Sequence, residues 1–586
     1  MADVRALHER ARLALQAGDI KGALDHCRTG LALAPADFGL LTTLGHVLRS
    51  AGAFAAAVEA FGVAAQAAPG DPVAWMALGN ACMEAELALV HAARTRTAAA
   101  PDNLLEHAMD AFARAATLAP GDVESHAHLA MAARYACAWP RAEPALRTLA
   151  QRFAADPARF RCSPMTAVAL LDDAQAQRAA IAGWSAEHMP APAAPPEGSP
   201  RTALRAAPPG GREPWGGPAA LIKHRGTPLR VGYLSTDFHD HATAHLAAGL
   251  FERHDRARVE SFAYACDADD GSAMRRRLLG AFDHWRDVRD ATDDAAARLI
   301  AGDALDVLVD LKGHTHGSRI DILARRPAPV QLHYLGFPGT IAYDGVDAIV
   351  ADAIVAPPGS EAEFAERVLR LPRCYQVNDD RRPLPPAPAR SEVGLPDAAL
   401  VLACFNQTYK LTQPFFDAWL DVLREHDDAV LWLAVPHALA RRNLLAAAAG
   451  AGVAAGRIVF APIVGQAAHV ARLRCADLAL DVLPYGSHTT GSDALWAGVP
   501  LATCVGGTFA GRVGASLCDA VGLPELAASS LPAYASLVRA LAADRARLAR
   551  CRDHLSSQRA RLPLFDTAGF TRDFERLLEG AANGVL

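Results

Sequence analysis

Through residues 1–185 the apolar positions fall into alanine-rich blocks with helical spacing, and the blocks repeat. Gly18 and Gly52 lie 34 positions apart, as do Ala23 and Ala57, Pro35 and Pro69, and Gly45 and Gly79. The phrase LALAPAD at 31–37 returns as AQAAPGD at 65–71 and as ATLAPGD at 117–123. From Pro69 to Pro120 the step is 51, one period of 34 plus an insertion of 17. A generic helical bundle gives no reason for these coincident spacings. The period predicts helix pairs that cannot bury their apolar faces alone and stack into a solenoid with a concave surface. Residues 186–228 turn to proline and glycine (APAAPPEGSPRTALRAAPPGG) and read as a linker.

At 229 the period changes. LRVGYLS, VESFAYA, ALDVLVDL, PVQLHYL and VDAIVAD are short continuous apolar runs, the mark of strands buried on both faces, with helical patterns between them. A second proline cluster, RRPLPPAPARSEVGLP at 381–396, interrupts the series, which resumes with LVLACFN, AVLWLAV, RIVFAPI, ADLALDVL and PLATCVG. The expected fold is multidomain. An all-α solenoid precedes two Rossmann-like α/β lobes, 229–385 and 386–586, with a ligand cleft between the carboxyl ends of their strands.

Composition narrows the function. A net charge of −6 argues against a dedicated nucleic-acid binder. Eleven cysteines, scattered singly and odd in number, suggest reduced thiols and a cytoplasmic setting. The opening MADVRALHERARLAL lacks an apolar signal core, and no run of about 18 uncharged apolar residues suggests a membrane span. Of 58 basic residues only Lys21, Lys223, Lys312 and Lys410 are lysines, leaving 54 (58 − 4) arginines.

Candidate chemistry concentrates in loops after strands. In the second lobe, Gly486, Ser487, His488, Thr489, Thr490 and Gly491 lie where a strand runs into a helix. Amides at a helix start, hydroxyls and an imidazole make a cradle for a phosphate or diphosphate, although Ser and Thr also serve as ordinary helix caps. The loop is neither a Walker A nor a dinucleotide fingerprint. Asn406, Gln407 and Lys410 end the first strand of this lobe. A lysine kept where arginine fills nearly every other cationic position is suggestive, because the two differ beside a leaving group. In the first lobe DFHDHATAHL gathers His239, His241 and His245, and KGHTHGSR adds His314 and His316. A zinc site would need a third or fourth convergent ligand with supporting partners.

The 34-residue unit resembles tetratricopeptide repeats. GFPGT (336–340), CFNQTYK (404–410), RIVFAPI (457–463), HV-x-R (469–472) and HTTGSDALWAG-x-P (488–500) together resemble the O-linked N-acetylglucosamine transferase family. That resemblance implies such repeats joined to a GT-B glycosyltransferase that moves N-acetylglucosamine from UDP-GlcNAc to serine or threonine hydroxyls with inversion. It implies no metal or other cofactor, and protein or peptide acceptors in the repeat groove; the charge and the absence of an apolar span already speak against nucleic acid and membrane as partners. It further implies Lys410, His241 and Asp303 as catalytic candidates, Lys410 facing the donor diphosphate. His488, Thr489 and Thr490 would hold that diphosphate. Gln407 and the backbone near Val464 would read the uracil, His469 would stack on it, and Arg472 and Asp493 would complete the pocket, Asp493 at the ribose. Where animal members carry a lysine this chain has Gln466, so one contact near the ribose and diphosphate differs. His241 would position the acceptor hydroxyl or help move its proton, with Asp303 as the other candidate. A protein O-fucosyltransferase using GDP-fucose, a non-catalytic repeat adaptor, and a metal-dependent hydrolase built on the histidines are the competing readings.

Overall fold

The computed structural model describes residues 2–93, 103–194, 200–201, 204 and 227–584. Ten helices come first: α1 Ala2–Gln16, α2 Ile20–Leu33, α3 Phe38–Ser50, α4 Phe54–Ala67, α5 Pro72–Ala93, α6 Leu104–Leu118, α7 Val123–Tyr135, α8 Trp139–Ala155, α9 Pro164–Leu170 and α10 Ala174–His188. Most of the expected 186–228 linker lies outside the described residues, and its first three positions complete α10.

The repeated phrase has a physical reading. Its proline closes one helix pair and its aspartate caps the next helix, Asp37 accepting the Leu40 amide and Asp122 that of Ser125. The repeated glycine sits beneath a phenyl ring. A Cβ on Gly45 would fall 2.6 Å from Phe61, and one on Gly79 would fall 2.4 Å from Phe112. The 17-residue insertion lies between Gly79 and Phe112, where α5 is lengthened. Gly18 and Gly52 turn their pairs with φ of +77° and +72°, and at the equivalent place after the insertion Cys137 adopts +49°. By length and composition the segment Pro72–Val90 of α5 could cross a membrane. It packs instead between α4 and α6, burying Ala74, Ala81, Cys82 and Ala85, and its Glu84 and Glu86 bind Arg49 and His437.

Both later sheets are parallel in every paired strand. The first lobe orders β1 (Leu229–Ser235), β2 (Val259–Ala265), β3 (His284–Asp287), β4 (Val307–Asp310), β5 (Val330–His333), β6 (Ala348–Asp352) and β7 (Arg367–Leu371) as β3-β2-β1-β4-β5-β6-β7. The second orders β8 (Leu400–Cys404), β9 (Ala429–Leu433), β10 (Ile458–Phe460), β11 (Leu478–Leu480), β12 (Leu501–Cys504) and β13 (Ala527–Ala528) as β10-β9-β8-β11-β12-β13. In each, the strand order reverses direction once, at β1/β4 and at β8/β11, so successive crossover connections there leave on opposite faces and open a crevice. The β1 and β4 loops, 236–241 and 311–320, thus stand side by side, as do the β8 and β11 loops around 405–412 and 481–488. These edges face one another: Tyr485, Ala510 and Tyr409 of the second lobe share one apolar cluster with Phe337 and Ile341 of the first.

Two connections bind the parts. The last helix, Thr567–Ala582, leaves the second lobe to pack on the first, where Phe574 meets Tyr334 and Glu575 accepts from His254. By packing, this end of the 386–586 segment belongs with the first lobe. The helical array docks on the second lobe through the Glu86–His437 pair, the Trp139 indole bonded to the Leu411 carbonyl, and Tyr135 against Tyr409.

Candidate functional site

At the second switch point Lys410 ends the short turn Thr408–Lys410 after β8, and His488 stands as N-cap of the helix Thr489–Trp496 after β11. The Lys410 ammonium donates to the Gly486 carbonyl at 2.9 Å and lies 3.5 Å above the Tyr485 ring. Among the described residues no carboxylate lies within ion-pair distance of it. Burial lowers its pKa to about 7, opposed by the more distant Asp481. The His488 side chain does not cap its helix. It bonds the Ala510 carbonyl, and burial with the neighbouring Lys410 charge drives its pKa down to about 3, so the ring is neutral. The first amides of the helix, at Thr489, Thr490 and Gly491, therefore have neither an intrahelical acceptor nor a side-chain cap. An ammonium, a neutral imidazole and a helix start converge on one small region, an arrangement suited to a diphosphate.

A polar scaffold fixes that loop. Asp481, fully buried, accepts the Ser487 amide at 2.6 Å and the Thr503 hydroxyl at 2.7 Å. Asn406 donates to the Ser487 hydroxyl at 2.9 Å and accepts that of Thr490 at 2.8 Å. These two side chains join the ends of β8 and β11. Asp481, Tyr485 and this use of Asn406 were missed in the sequence, where a carboxylate ending a buried strand was the available signal.

Next to the cradle, His469 and Arg472 share a face of the helix Gln466–Leu473. The His469 ring lies 5.4 Å from Phe405, and the Arg472 guanidinium sits over the same phenyl at 4.9 Å. Burial lowers His469 to about 4, leaving it neutral and apt to lie against an aromatic base. Val464 is exposed at the rim of a cleft of about 710 Å³ that Trp432, Phe460, Ala468 and Arg472 also line. Gln407 is exposed beside the Lys410 turn. Asp493, expected at the ribose, is 2% exposed and held by Arg382 at 2.8 Å and Gln466 at 3.0 Å. Gln466 thus anchors the Asp493 carboxylate, and Arg382 at the inter-lobe crossing was not foreseen.

On the first lobe each of the three histidines has its own carboxylate or backbone partner, although the His239 and His241 rings lie 5.6 Å apart. His239 pairs with Asp267 at 3.2 Å, which raises its pKa. His245 bonds Asp240 at 2.6 Å. His241 caps the helix Ala242–Arg253, its Nδ1 accepting the Thr243 amide. His314 bonds the Ile341 carbonyl and is driven down to about 4 by burial. Among the described residues no three His, Cys, Asp or Glu side chains are grouped to hold a metal ion. Behind His241 lies a buried ion pair, Lys312 with both oxygens of Asp237 at 2.8 and 3.0 Å. The glycine of GFPGT explains the tight packing here, since a Cβ on Gly336 would strike the Leu311 carbonyl at 2.0 Å.

Asp303 is not part of this group. It ends the helix Asp293–Gly302 ahead of β4, at the amino edge of the sheet, whereas His241 follows the carboxyl end of β1. There it accepts from Tyr264 at 2.9 Å and from Arg286, and its backbone carbonyl accepts from Arg230. The sequence match fixed its place in the chain but could not show which end of the strand it served.

Comparison with known proteins agrees with this geometry. The sequence profile of glycosyl transferase family 41 matches residues 212–386 and 385–574. The chain is 36% identical over 376 residues to the probable UDP-N-acetylglucosamine–peptide N-acetylglucosaminyltransferase SEC of Arabidopsis thaliana, covering 62% of this chain and 38% of that protein. To the UDP-N-acetylglucosamine–peptide N-acetylglucosaminyltransferase of Caenorhabditis elegans it is 27% identical over 466 residues, covering 60% and 40%. The chain therefore spans about two fifths of the length of these curated relatives. Among solved structures, a lysine-to-methionine mutant of the Thermobaculum terrenum O-GlcNAc transferase aligns over 100% of this chain and 99% of its own, with a TM-score of 0.67 and 27% identity. With the profile covering more than half of its residues and the two lobes meeting at the expected edges, the chain belongs to glycosyl transferase family 41.

Proposed function

We propose that this protein transfers N-acetylglucosamine from UDP-GlcNAc to serine or threonine hydroxyls of proteins or peptides, with inversion at the anomeric carbon and without a metal. One observation carries the reading: a buried lysine with no carboxylate partner among the described residues stands against a neutral imidazole and an uncapped helix start. That combination meets a diphosphate with fixed dipoles and one mobile positive charge. In the reaction the acceptor hydroxyl oxygen attacks the anomeric carbon, the bond from that carbon to the diphosphate oxygen breaks, UDP departs with the electron pair, and the hydroxyl proton passes to the departing diphosphate oxygen. Lys410 stabilises the charge that grows on the leaving oxygen. Thr489, Thr490 and the first helix amides hold the diphosphate. His469 lies against the base, and the edge of the base meets Gln407 and the backbone near Val464. His241, across the cleft, contacts the sugar and acceptor. The names of the relatives support the donor and acceptor classes, and the helical array beside the cleft suits a peptide acceptor.

The test is calorimetric titration of the purified chain with UDP and with GDP in EDTA, for wild type and Lys410→Met. We expect tight UDP binding without metal, much weaker GDP binding, and a clear loss in the variant. Preference for GDP would replace the donor with a guanine nucleotide sugar, and no binding of either would overturn the transferase reading.

A further inference from the structure

The first lobe holds the other buried lysine of the cleft, and neither the sequence match nor the proposed reaction gives it a task. Lys312 follows the carboxyl end of β4 and is 5% exposed. Its ammonium contacts both oxygens of Asp237, itself 5% exposed. One of those oxygens also accepts the Thr243 hydroxyl at 3.2 Å and lies 3.4 Å from Nδ1 of His241. The same Nδ1 is 3.2 Å from the Thr243 backbone nitrogen.

Two groups compete for that ring nitrogen, and they demand opposite things of it. A carboxylate can only accept, so if Asp237 governed Nδ1 the ring would carry its proton there and leave Nε2 free to take one. That is the arrangement by which an aspartate prepares a histidine as a general base. A backbone amide can only donate, so if Thr243 governs Nδ1 the nitrogen is bare and the neutral ring carries its proton on Nε2. We infer that Lys312 decides this competition: by binding both oxygens of Asp237 it leaves Nδ1 to the Thr243 amide, and so presents His241 to the cleft as a neutral Nε2–H donor rather than as a proton acceptor. Lys312 and Asp237 are then positioning residues, and His241 holds an oxygen of the bound substrates in place.

The surroundings agree. The groups facing His241 are Asp237 and Lys312 from the two adjoining loops, His239, and His245 one turn along its own helix; Asp267 stands behind His239, and Asp240 beside His245. Burial leads in keeping the ring uncharged, with Lys312, His239 and His245 adding to it and Asp237 alone opposing. No described residue bonds Nε2, which is left for a ligand. The nitrogen–carboxylate approach of 3.4 Å is longer than the 3.2 Å to the amide.

The assignment of the ring proton stands on geometry. Only its catalytic consequence rests on the transferase reading, and the test separates them. The full-length chain is labelled with ¹⁵N-histidine, and the His241 ring is observed in long-range proton–nitrogen correlation spectra, assigned by loss of its signals in His241→Gln. In wild type Nδ1 is expected as the bare nitrogen and Nε2 as the protonated one. In Lys312→Met the uncompensated carboxylate should capture Nδ1–H, reverse the tautomer and raise the titration midpoint of the ring by about one pH unit. In the double variant Asp237→Asn with Lys312→Met neither charge remains, and the wild-type tautomer should return. UDP titration reports that the second lobe is intact in each variant. For sugar transfer to a peptide, Lys312→Met should lower kcat with KM for the nucleotide sugar little changed, and part of the loss should be recovered below the raised His241 midpoint, where the imidazolium again carries Nε2–H. Nδ1–H in wild type, or an unchanged tautomer in a folded Lys312→Met protein, overturns the inference. Should Lys312→Met fail to fold, the wild-type and double-variant tautomers still decide it, Nδ1–H in either being fatal. A chain that shows the expected tautomers but binds no nucleotide would sink the transferase proposal while leaving this one standing.

Discussion

Two lysines stand at the carboxyl edges of the two sheets, both buried, in a protein with only four lysines among its 58 basic residues. Lys312 of the first lobe is clasped by Asp237 through two contacts. Among the described residues, Lys410 of the second contacts the Gly486 carbonyl and the Tyr485 ring and no carboxylate. The difference is one of commitment. A buried ammonium facing a carboxylate has its charge answered within the protein, so removing it exposes the partner's charge. A buried ammonium facing a carbonyl dipole and a π face is under-compensated, and its pKa falls to about 7 because desolvation is not offset. It is poised to gain from an incoming anion. The first lobe has used its lysine to arrange a histidine, while the second keeps its lysine for a ligand.

The comparison can be broken most directly by removing each charge. Lys410→Met should lower the turnover of sugar transfer about 10²- to 10³-fold, the usual loss when one group stabilising transition-state charge is removed from a closed site. A steady-state assay with a peptide acceptor measures this, and a loss below tenfold would show that Lys410 does not meet the leaving group. On stability the order reverses. Lys312→Met should cost about 3–5 kcal/mol in denaturant unfolding, because Asp237 is left buried without its cation, whereas Lys410→Met should be neutral or stabilising. Equal costs would erase the distinction between the two sites.

The pH dependence sharpens the same contrast. If Lys410 must be charged, kcat/KM for the nucleotide sugar should fall as pH rises through about 7, where the free protein loses that proton. With substrate bound, the diphosphate favours the charged form, so kcat should hold to higher pH. Coincident profiles would sink the assignment. A smaller effect is expected at the scaffold: Asn406→Ala frees the Thr490 and Ser487 hydroxyls from each other and should weaken UDP binding by about 1–2 kcal/mol by calorimetry. Smallest of all, Asp303→Asn should leave kcat/KM unchanged and alter stability by no more than about 1 kcal/mol, since its carboxylate serves Tyr264 and Arg286 at the amino edge.

How much of this was visible in the residues depended on whether a signal was local. The helix-pair period was legible because the same turn chemistry, a proline followed two residues later by a capping aspartate, recurs at each unit. The central strands were legible because they are buried on both faces and largely apolar, whereas the half-buried His284–Asp287 strand, with its sequence HWRD, carried no such signal. The diphosphate loop was legible because strand, turn and helix start adjoin in the chain. Asp237 with Lys312, 75 residues apart, and Arg382 with Asp493, 111 apart, carried no such signal. Apart from the scarcity of lysine at Lys312, no member of either pair stands out among its neighbours; each acquires meaning from a partner supplied by another part of the chain. The three clustered histidines show the converse, for proximity along the chain suggested convergence, while β1 and its loop turn each ring toward a different partner.

The sequence by itself determined the period of the solenoid, the two series of buried strands and the residue types at each strand end, because these follow from turn chemistry and hydrophobic spacing within a few residues. Tertiary structure alone decided which strand ends adjoin, that Asp303 faces away from the cleft, and that one buried lysine is answered by a carboxylate and the other is not. The reason is physical: a charge in a low-dielectric interior is governed by whatever lies within a few ångströms of it, and in a parallel sheet with long crossovers those neighbours come from distant parts of the chain.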